Sequence, residues 1–115
     1  MEKNVEISIL LDLYKNLLTD KQIDFLNDYY NNDYSLSEIA ENDSITRQAV
    51  RDIIKKGENK LFEYEEKLGL MKKQIMQEEQ IANILSDITK ISKKTSDEEI
   101  AKVLEDVKSK LNCLV

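Results

Sequence analysis

Between positions 46 and 56 the chain reads Thr46-Arg47-Gln48-Ala49-Val50-Arg51-Asp52-Ile53-Ile54-Lys55-Lys56. Its polar residues are types that hold and read nucleic acid. An arginine guanidinium donates two parallel hydrogen bonds to guanine, and a glutamine amide pairs in the same two-point manner with adenine. Lysines neutralise backbone phosphates, and a threonine at a helix N-terminus meets a phosphate where free backbone N–H groups point. If Val50 faces inward on a helix, Gln48, Arg51, Asp52 and Lys55 face outward, while Thr46 and Arg47 stand at the N-terminal end. Arg47 or Arg51 then suits guanine, Gln48 adenine, and Lys55, Lys56 and Lys60 the backbone. An ordinary solvated helix carries the same residue types, with Thr46 only a cap, and Asp52 on that face opposes an anionic ligand.

Other chemistries lack their parts. The chain has no histidine, so it has no Ser-His or Cys-His pair and no imidazole base or metal ligand. Its two glycines, Gly57 and Gly69, cannot build a phosphate-cradling loop. Cys113 is the single cysteine and closes no internal disulfide, which suits a reducing compartment; it is expected to act as a small hydrophobe. Acidic neighbours such as Glu65-Glu66, Glu78-Glu79 and Asp97-Glu98-Glu99 diverge by about 100° per residue on a helix and do not converge on one ion. No enzyme, cofactor or metal centre is expected.

The net charge of −6 is unevenly spread. Residues 1–45 carry three Lys/Arg against ten Asp/Glu, residues 46–75 eight against five, and residues 76–115 six against eight. A polyanion is repelled by the first block and drawn to the second. The longest apolar run near the N-terminus is Ile9-Leu10-Leu11, so neither a leader nor a membrane span is expected, and the chain reads as soluble and cytoplasmic.

The elements that must position Thr46–Lys56 can be read from their ends. Ile7, Leu10, Leu11, Tyr14, Leu17 and Leu18 share one helical face, predicting a first helix over 4–18. Thr19-Asp20-Lys21-Gln22 has capping-box form, with Leu18 and Ile23 as a hydrophobic staple; the helix it opens turns Ile23, Leu26, Tyr29 and Tyr30 inward. Ser35-Leu36-Ser37-Glu38 repeats the box, with Tyr34 and Ile39 as staple, and Asn42-Asp43-Ser44 favours a turn. Thr46 caps the next helix, with Ile45 and Val50 at staple positions. Two short capped helices around such a turn make a helix-turn-helix, and Ala40 is small enough to let them cross closely. Tyr29, Tyr30 and Tyr34 suit base stacking, but also staple and core roles.

Beyond the turn, Val50, Ile54, Gly57, Leu61, Tyr64, Leu68, Met71 and Ile75 step by four and three, a heptad seam. Gly57 weakens a helix interior, or else permits close packing, and Gly69 marks a break. Ile81, Ile84, Leu85, Ile88 and Ile91 line a fifth helix. Ser96-Asp97-Glu98-Glu99 opens a sixth, faced by Ile100, Val103, Leu104, Val107 and Leu111.

Leu18-Thr19-Asp20-Lys21-Gln22, Ser37-Glu38-Ile39-Ala40-Glu41 and Ile45-Thr46-Arg47-Gln48-Ala49-Val50 resemble the helix-turn-helix of sigma-factor region four. With Lys55-Lys56, Leu61 and Tyr64-Glu65-Glu66-Lys67-Leu68 added, the chain is similar to the YlxM-like family of small bacterial proteins over about residues 5–70. Asp43 stands where that family usually has a large apolar residue, and Arg51 where it usually has an aromatic one. With no proline and two glycines the chain reads as all-α: a helix-turn-helix domain over 1–70, which the resemblance covers, and a C-terminal helical extension over 71–115 that packs on the same core or forms a dimer interface. The resemblance implies a DNA-binding regulatory protein linked to the signal recognition particle pathway, because family genes lie beside those of the particle's GTPase and receptor. The candidate contacts are Thr46, Arg47, Gln48, Arg51, Lys55 and Lys56, in a homodimer joined through helices within 57–115. The alternative is an adapter that docks on signal recognition particle protein or RNA without binding DNA.

Overall fold

A computed structural model of the chain describes residues 1–114 and contains six α-helices. They are α1 (Lys3–Tyr14), α2 (Asp20–Leu26), α3 (Leu36–Asp43), α4 (Arg47–Leu68), α5 (Leu70–Lys94) and α6 (Glu98–Asn112). No strand occurs among the described residues. Two units divide the chain, one covering Met1–Met71 and the other beginning at Lys72.

In the first unit, α1 buries Ile7, Leu10, Leu11 and Tyr14, spaced as one helical face. It is shorter than the apolar pattern predicts. A 3₁₀ turn, Lys15–Leu17, takes over, and the tighter winding leaves Leu17 exposed while Leu18 packs on the core. Thr19 then opens α2 with a complete capping box: Gln22 N donates to Thr19 Oγ1 at 3.2 Å and Thr19 N donates to Gln22 Oε1 at 3.0 Å.

The continuation of α2 departs from the expected register. Residues Asn27–Asn31 form a π-helical turn, closed by Asn32 N on Asn27 O at 3.0 Å. The wider winding rotates the following side chains away from a 3.6-residue pattern. Phe25 and Leu26, just before the turn, are the fully buried pair; beyond them Tyr29 is left 37% exposed and Tyr30 is half-buried beside α4. Ile23 is only half-buried, and Tyr34 stays exposed rather than completing a buried staple.

Ser35 opens α3 with a second capping box, Glu38 N donating to Ser35 Oγ at 3.1 Å and Ser35 N to Glu38 Oε1 at 3.3 Å. The helix closes without glycine. Ser44 adopts the left-handed conformation (φ 55°), Ile45 N donates to Ala40 O at 3.1 Å, and Ser44 N to Glu41 O at 3.3 Å. This Schellman closure satisfies two otherwise orphaned carbonyls and returns Ile45 to the core. Asp43 is exposed, so Ile45 supplies the apolar contact of the turn.

Thr46 caps α4 through Ala49 N on its Oγ1 at 3.0 Å. Val50, Ile54, Gly57 and Leu61 are buried against α1, α2 and α3, with Ala40 and Val50 in the same core cluster. Gly57 is the point of closest approach. A Cβ there would lie 2.9 Å from Leu26 Cδ1 and 3.4 Å from Gln22 Cβ, so any side chain at this position would have to displace Leu26. Half of the heptad seam thus serves this chain's own core, and Gly57 and Leu61 are unavailable to a second copy. The seam ends at Leu68, which is exposed, and Gly69 breaks the helix at φ 64°. Tyr14 and Glu65 receive the first turn of α5: Met71 N donates to Glu65 Oε1 at 2.9 Å, Leu70 N to the Tyr14 hydroxyl at 3.2 Å, and that hydroxyl donates to Glu65 Oε1 at 2.8 Å.

The second unit holds the rest of α5, and α6. Ile88 is its one buried hydrophobic residue among those described, flanked by half-buried Ile81 and Leu85. On α6 the less exposed stripe is Ala101, Leu104 and Leu111. Of the residues expected to face inward, Ile84, Ile91, Ile100, Val103 and Val107 are exposed. Asp97, rather than Ser96, is the N-cap of α6, its carboxylate accepting from Glu99 N at 2.9 Å and Ile100 N at 3.3 Å. Cys113 is exposed and does not pack as a small hydrophobe.

Candidate nucleic-acid interface

The core contacts of α4 decide which of its sides is free. With Val50, Ile54, Gly57 and Leu61 inward, Arg47, Arg51 and Lys55 fall on an outer stripe at four-residue intervals, and all three are exposed. Thr46, Gln48 and Lys56 are exposed as well. Among the described residues, none of Arg47, Arg51, Lys55 and Lys56 is held in an ion pair, whereas Lys3 pairs with Glu58, Lys67 with Glu63 and Lys110 with Asp106. Asp52, the carboxylate on this side, instead accepts from Gln48 Nε2 at 3.0 Å. That bond uses one of the two Gln48 N–H donors, so the other N–H and the amide oxygen remain to meet a base.

Two adjoining depressions flank the stripe. One, of about 350 Å3, is lined by Leu36, Arg47, Gln48 and Arg51. The other, of about 150 Å3, shares Leu36 and Arg51 and continues past Lys55 and Ile54 to Glu58, Tyr30, Tyr29 and Lys3. The geometry thus brings Arg47, Gln48, Arg51 and Lys55 together along one side. Thr46 stands at the start of the helix with its oxygen committed to the cap. Lys56 lines neither depression, since one residue further along a helix turns the side chain by about 100°.

The far end of the smaller depression carries residues that sequence patterning does not bring together. Glu58 is nearly buried, accepts a hydrogen bond from the Tyr30 hydroxyl, and pairs through Oε2 with Lys3 Nζ at 3.4 Å. Burial, followed by the Glu58 carboxylate, raises the Tyr30 hydroxyl above its ordinary pKa and keeps it a donor. Tyr29 meets Tyr30 edge to face, ring centres 5.0 Å apart. The only local signal for this corner was the Tyr29-Tyr30 pair; Lys3 and Glu58 lie far apart in the chain.

None of the ten carboxylates of residues 1–45 lines either depression. No group of acidic or cysteine side chains able to hold a metal occurs among the described residues, and no described helix is long and apolar enough to cross a membrane.

A short capped helix, a left-handed turn and a longer capped helix with a free cationic side define a helix-turn-helix protein of all-α class. The comparisons with known proteins narrow that class. The family model described as "Putative helix-turn-helix protein, YlxM / p13 like" matches residues 1–111. A UPF0122 protein of Acetivibrio thermocellus is 44% identical over 115 residues, 100% of this chain and 98% of the relative. One from Clostridium botulinum is 47% identical over 88 residues, 76% of this chain and 81% of its own. One from Listeria welshimeri is 42% identical over 108 residues, 94% and 96% respectively. The chain belongs to the UPF0122 family of YlxM / p13-like helix-turn-helix proteins.

Proposed function

We propose that this protein binds duplex DNA by entering the major groove with the N-terminal half of α4. The observation that carries this is the exposed stripe Arg47–Arg51–Lys55, none of whose cations is held in an ion pair. Arg47 or Arg51 reads guanine, Gln48 reads adenine with its second N–H and its amide oxygen, and Thr46 approaches a phosphate at the helix N-terminus. Lys55 and Lys56 hold the backbone. One such unit neutralises few phosphates, so two copies act together, joined through the exposed apolar residues of α5 and α6. The family resemblance extends this to a regulatory role in the signal recognition particle pathway.

The test is fluorescence anisotropy of a labelled random duplex at 50 and 200 mM salt, conditions across which phosphate-dominated binding weakens steeply. The unaltered chain binds at low salt, and Arg47→Ala with Arg51→Ala weakens it by about tenfold or more. Absent binding at low salt, or no loss in the double variant, contradicts the proposal.

A second use of the scaffold is favoured by the eight exposed carboxylates among the ten of residues 1–45, which complement a basic partner. There the chain docks on signal recognition particle protein or RNA. Retention by either purified component, with duplex DNA ignored, favours that alternative.

A further inference from the structure

The smaller depression beside α4 is not accounted for by the helix-turn-helix alone. Its walls come from four elements: the start of α1, the π-helical turn after α2, Leu36 at the start of α3, and the second and third turns of α4. Three of its lining residues are cations, Lys3, Arg51 and Lys55, against the single carboxylate Glu58. That carboxylate is already engaged by the Tyr30 hydroxyl and Lys3. The Lys3 side chain is itself 59% exposed, so the pair anchors its ammonium without removing it from solvent. Tyr29 adds an exposed phenol, able to donate to an oxygen. The net positive charge, the engaged carboxylate and the small volume match one phosphate group.

We infer that this cleft seats a backbone phosphodiester of the bound duplex, extending the footprint from α4 to Lys3 at the start of α1. The inference rests on the DNA-binding reading above and names a further contact in it. The cleft shares Leu36 and Arg51 with the depression along Arg47 and Gln48, so a strand lying over those residues continues into it. Lys3 and Lys55 approach the phosphate oxygens as point charges, and Tyr29 donates a hydrogen bond. Glu58 and Tyr30 are positioning residues: they hold the ammonium of Lys3 over the cleft. Of the three lysines in residues 1–45, only Lys3 lines this surface; Lys15 and Lys21 do not.

That distinction supplies the experiment. The salt dependence of random-duplex binding is measured for the unaltered chain and for Lys3→Ala, Lys3→Arg, Lys15→Ala and Lys21→Ala, with thermal unfolding recorded for each. All three alanine variants remove one positive charge, but only Lys3→Ala removes a phosphate contact. Its plot of log affinity against log salt becomes shallower by about 0.9, equivalent to roughly a threefold smaller change between 50 and 200 mM. Lys15→Ala and Lys21→Ala keep the original slope, and Lys3→Arg restores it. If Lys3→Ala matches Lys15→Ala in slope, or if all three shift alike, the extended footprint is overturned while DNA binding by α4 stands. If the unaltered chain ignores the duplex, the underlying reading falls and this contact with it. Tyr29→Phe removes a contact without touching the Lys3–Glu58 pair. It weakens binding equally on all sequences if the cleft holds a phosphate, and has no effect if the cleft is empty of DNA.

Discussion

Residues 1–71 and the helices beyond Lys72 use similar residue types to different ends. The first unit encloses a cluster running from Ile7 through Phe25, Leu26, Ile39 and Val50 to Leu61, each almost without solvent exposure. The second buries Ile88 alone to a comparable degree among its described hydrophobic residues, and leaves Val103 62% exposed. Both contain amphipathic helices with good caps. They differ in the number of layers. Helices α1, α2 and α3 all pack on α4, so each apolar stripe in the first unit meets another. The second unit has only two helices to offer, and two cannot cover apolar residues on both sides of each. Amphipathic periodicity identifies a helix and its apolar stripe, but it does not say whether anything is present to cover it.

The largest expected effect follows directly. Leu61→Ala removes a fully buried side chain from the four-helix core and should cost about 2–5 kcal/mol in urea unfolding. Val103→Ala, measured in dilute solution, should change stability by less than about 0.5 kcal/mol, as surface substitutions do. Comparable losses at both positions would erase the contrast. Gly57→Val comes next: a branched side chain would be driven into Leu26 and Gln22, with an expected cost of about 2–3 kcal/mol despite the better helix propensity. A stabilised Gly57→Val protein would mean that α2 and α4 are not so closely apposed.

The caps sharpen the comparison further. Thr46→Ala should lower stability by about 1 kcal/mol, because Ala49 N loses its acceptor in a helix that joins the whole core. Asp97→Ala should fray α6 locally, visible in amide exchange at Glu99 and Ile100, with little change in unfolding of the first unit. The smallest effect concerns pH. The folded chain holds the Tyr30 proton more tightly than the unfolded chain does, so its share of stability is level below pH 10.0 and is lost as pH rises above that value. Tyr30→Phe should flatten that alkaline decline; an unchanged slope would mean that burial and the Glu58 contact together do not hold the proton.

Local chemistry was legible in the sequence and long-range juxtaposition was not. Thr19, Ser35, Thr46 and Gly69 announce helix ends through contacts within a few residues, and each end falls where those residues indicate. Ala40, Val50 and Ile54 declare the crossing of α3 with α4, which in turn exposes Arg47, Gln48, Arg51 and Lys55 on the outer side. The π-helical turn was not legible: nothing in Asn27-Asp28-Tyr29-Tyr30-Asn31 signals wider winding, so Tyr29 was assigned inward. The Lys3–Glu58–Tyr30 corner joins three elements and has no periodic signature at all.

The central claim is that the outer side of α4 is the surface that meets DNA, and amide NMR during titration with a short random duplex tests it residue by residue. The account predicts salt-sensitive shifts concentrated at Thr46, Arg47, Gln48, Arg51 and Lys55, with Lys15, Lys21 and residues 72–114 left in place. Shifts confined to residues 72–114, or a spectrum unchanged at low salt, would contradict it.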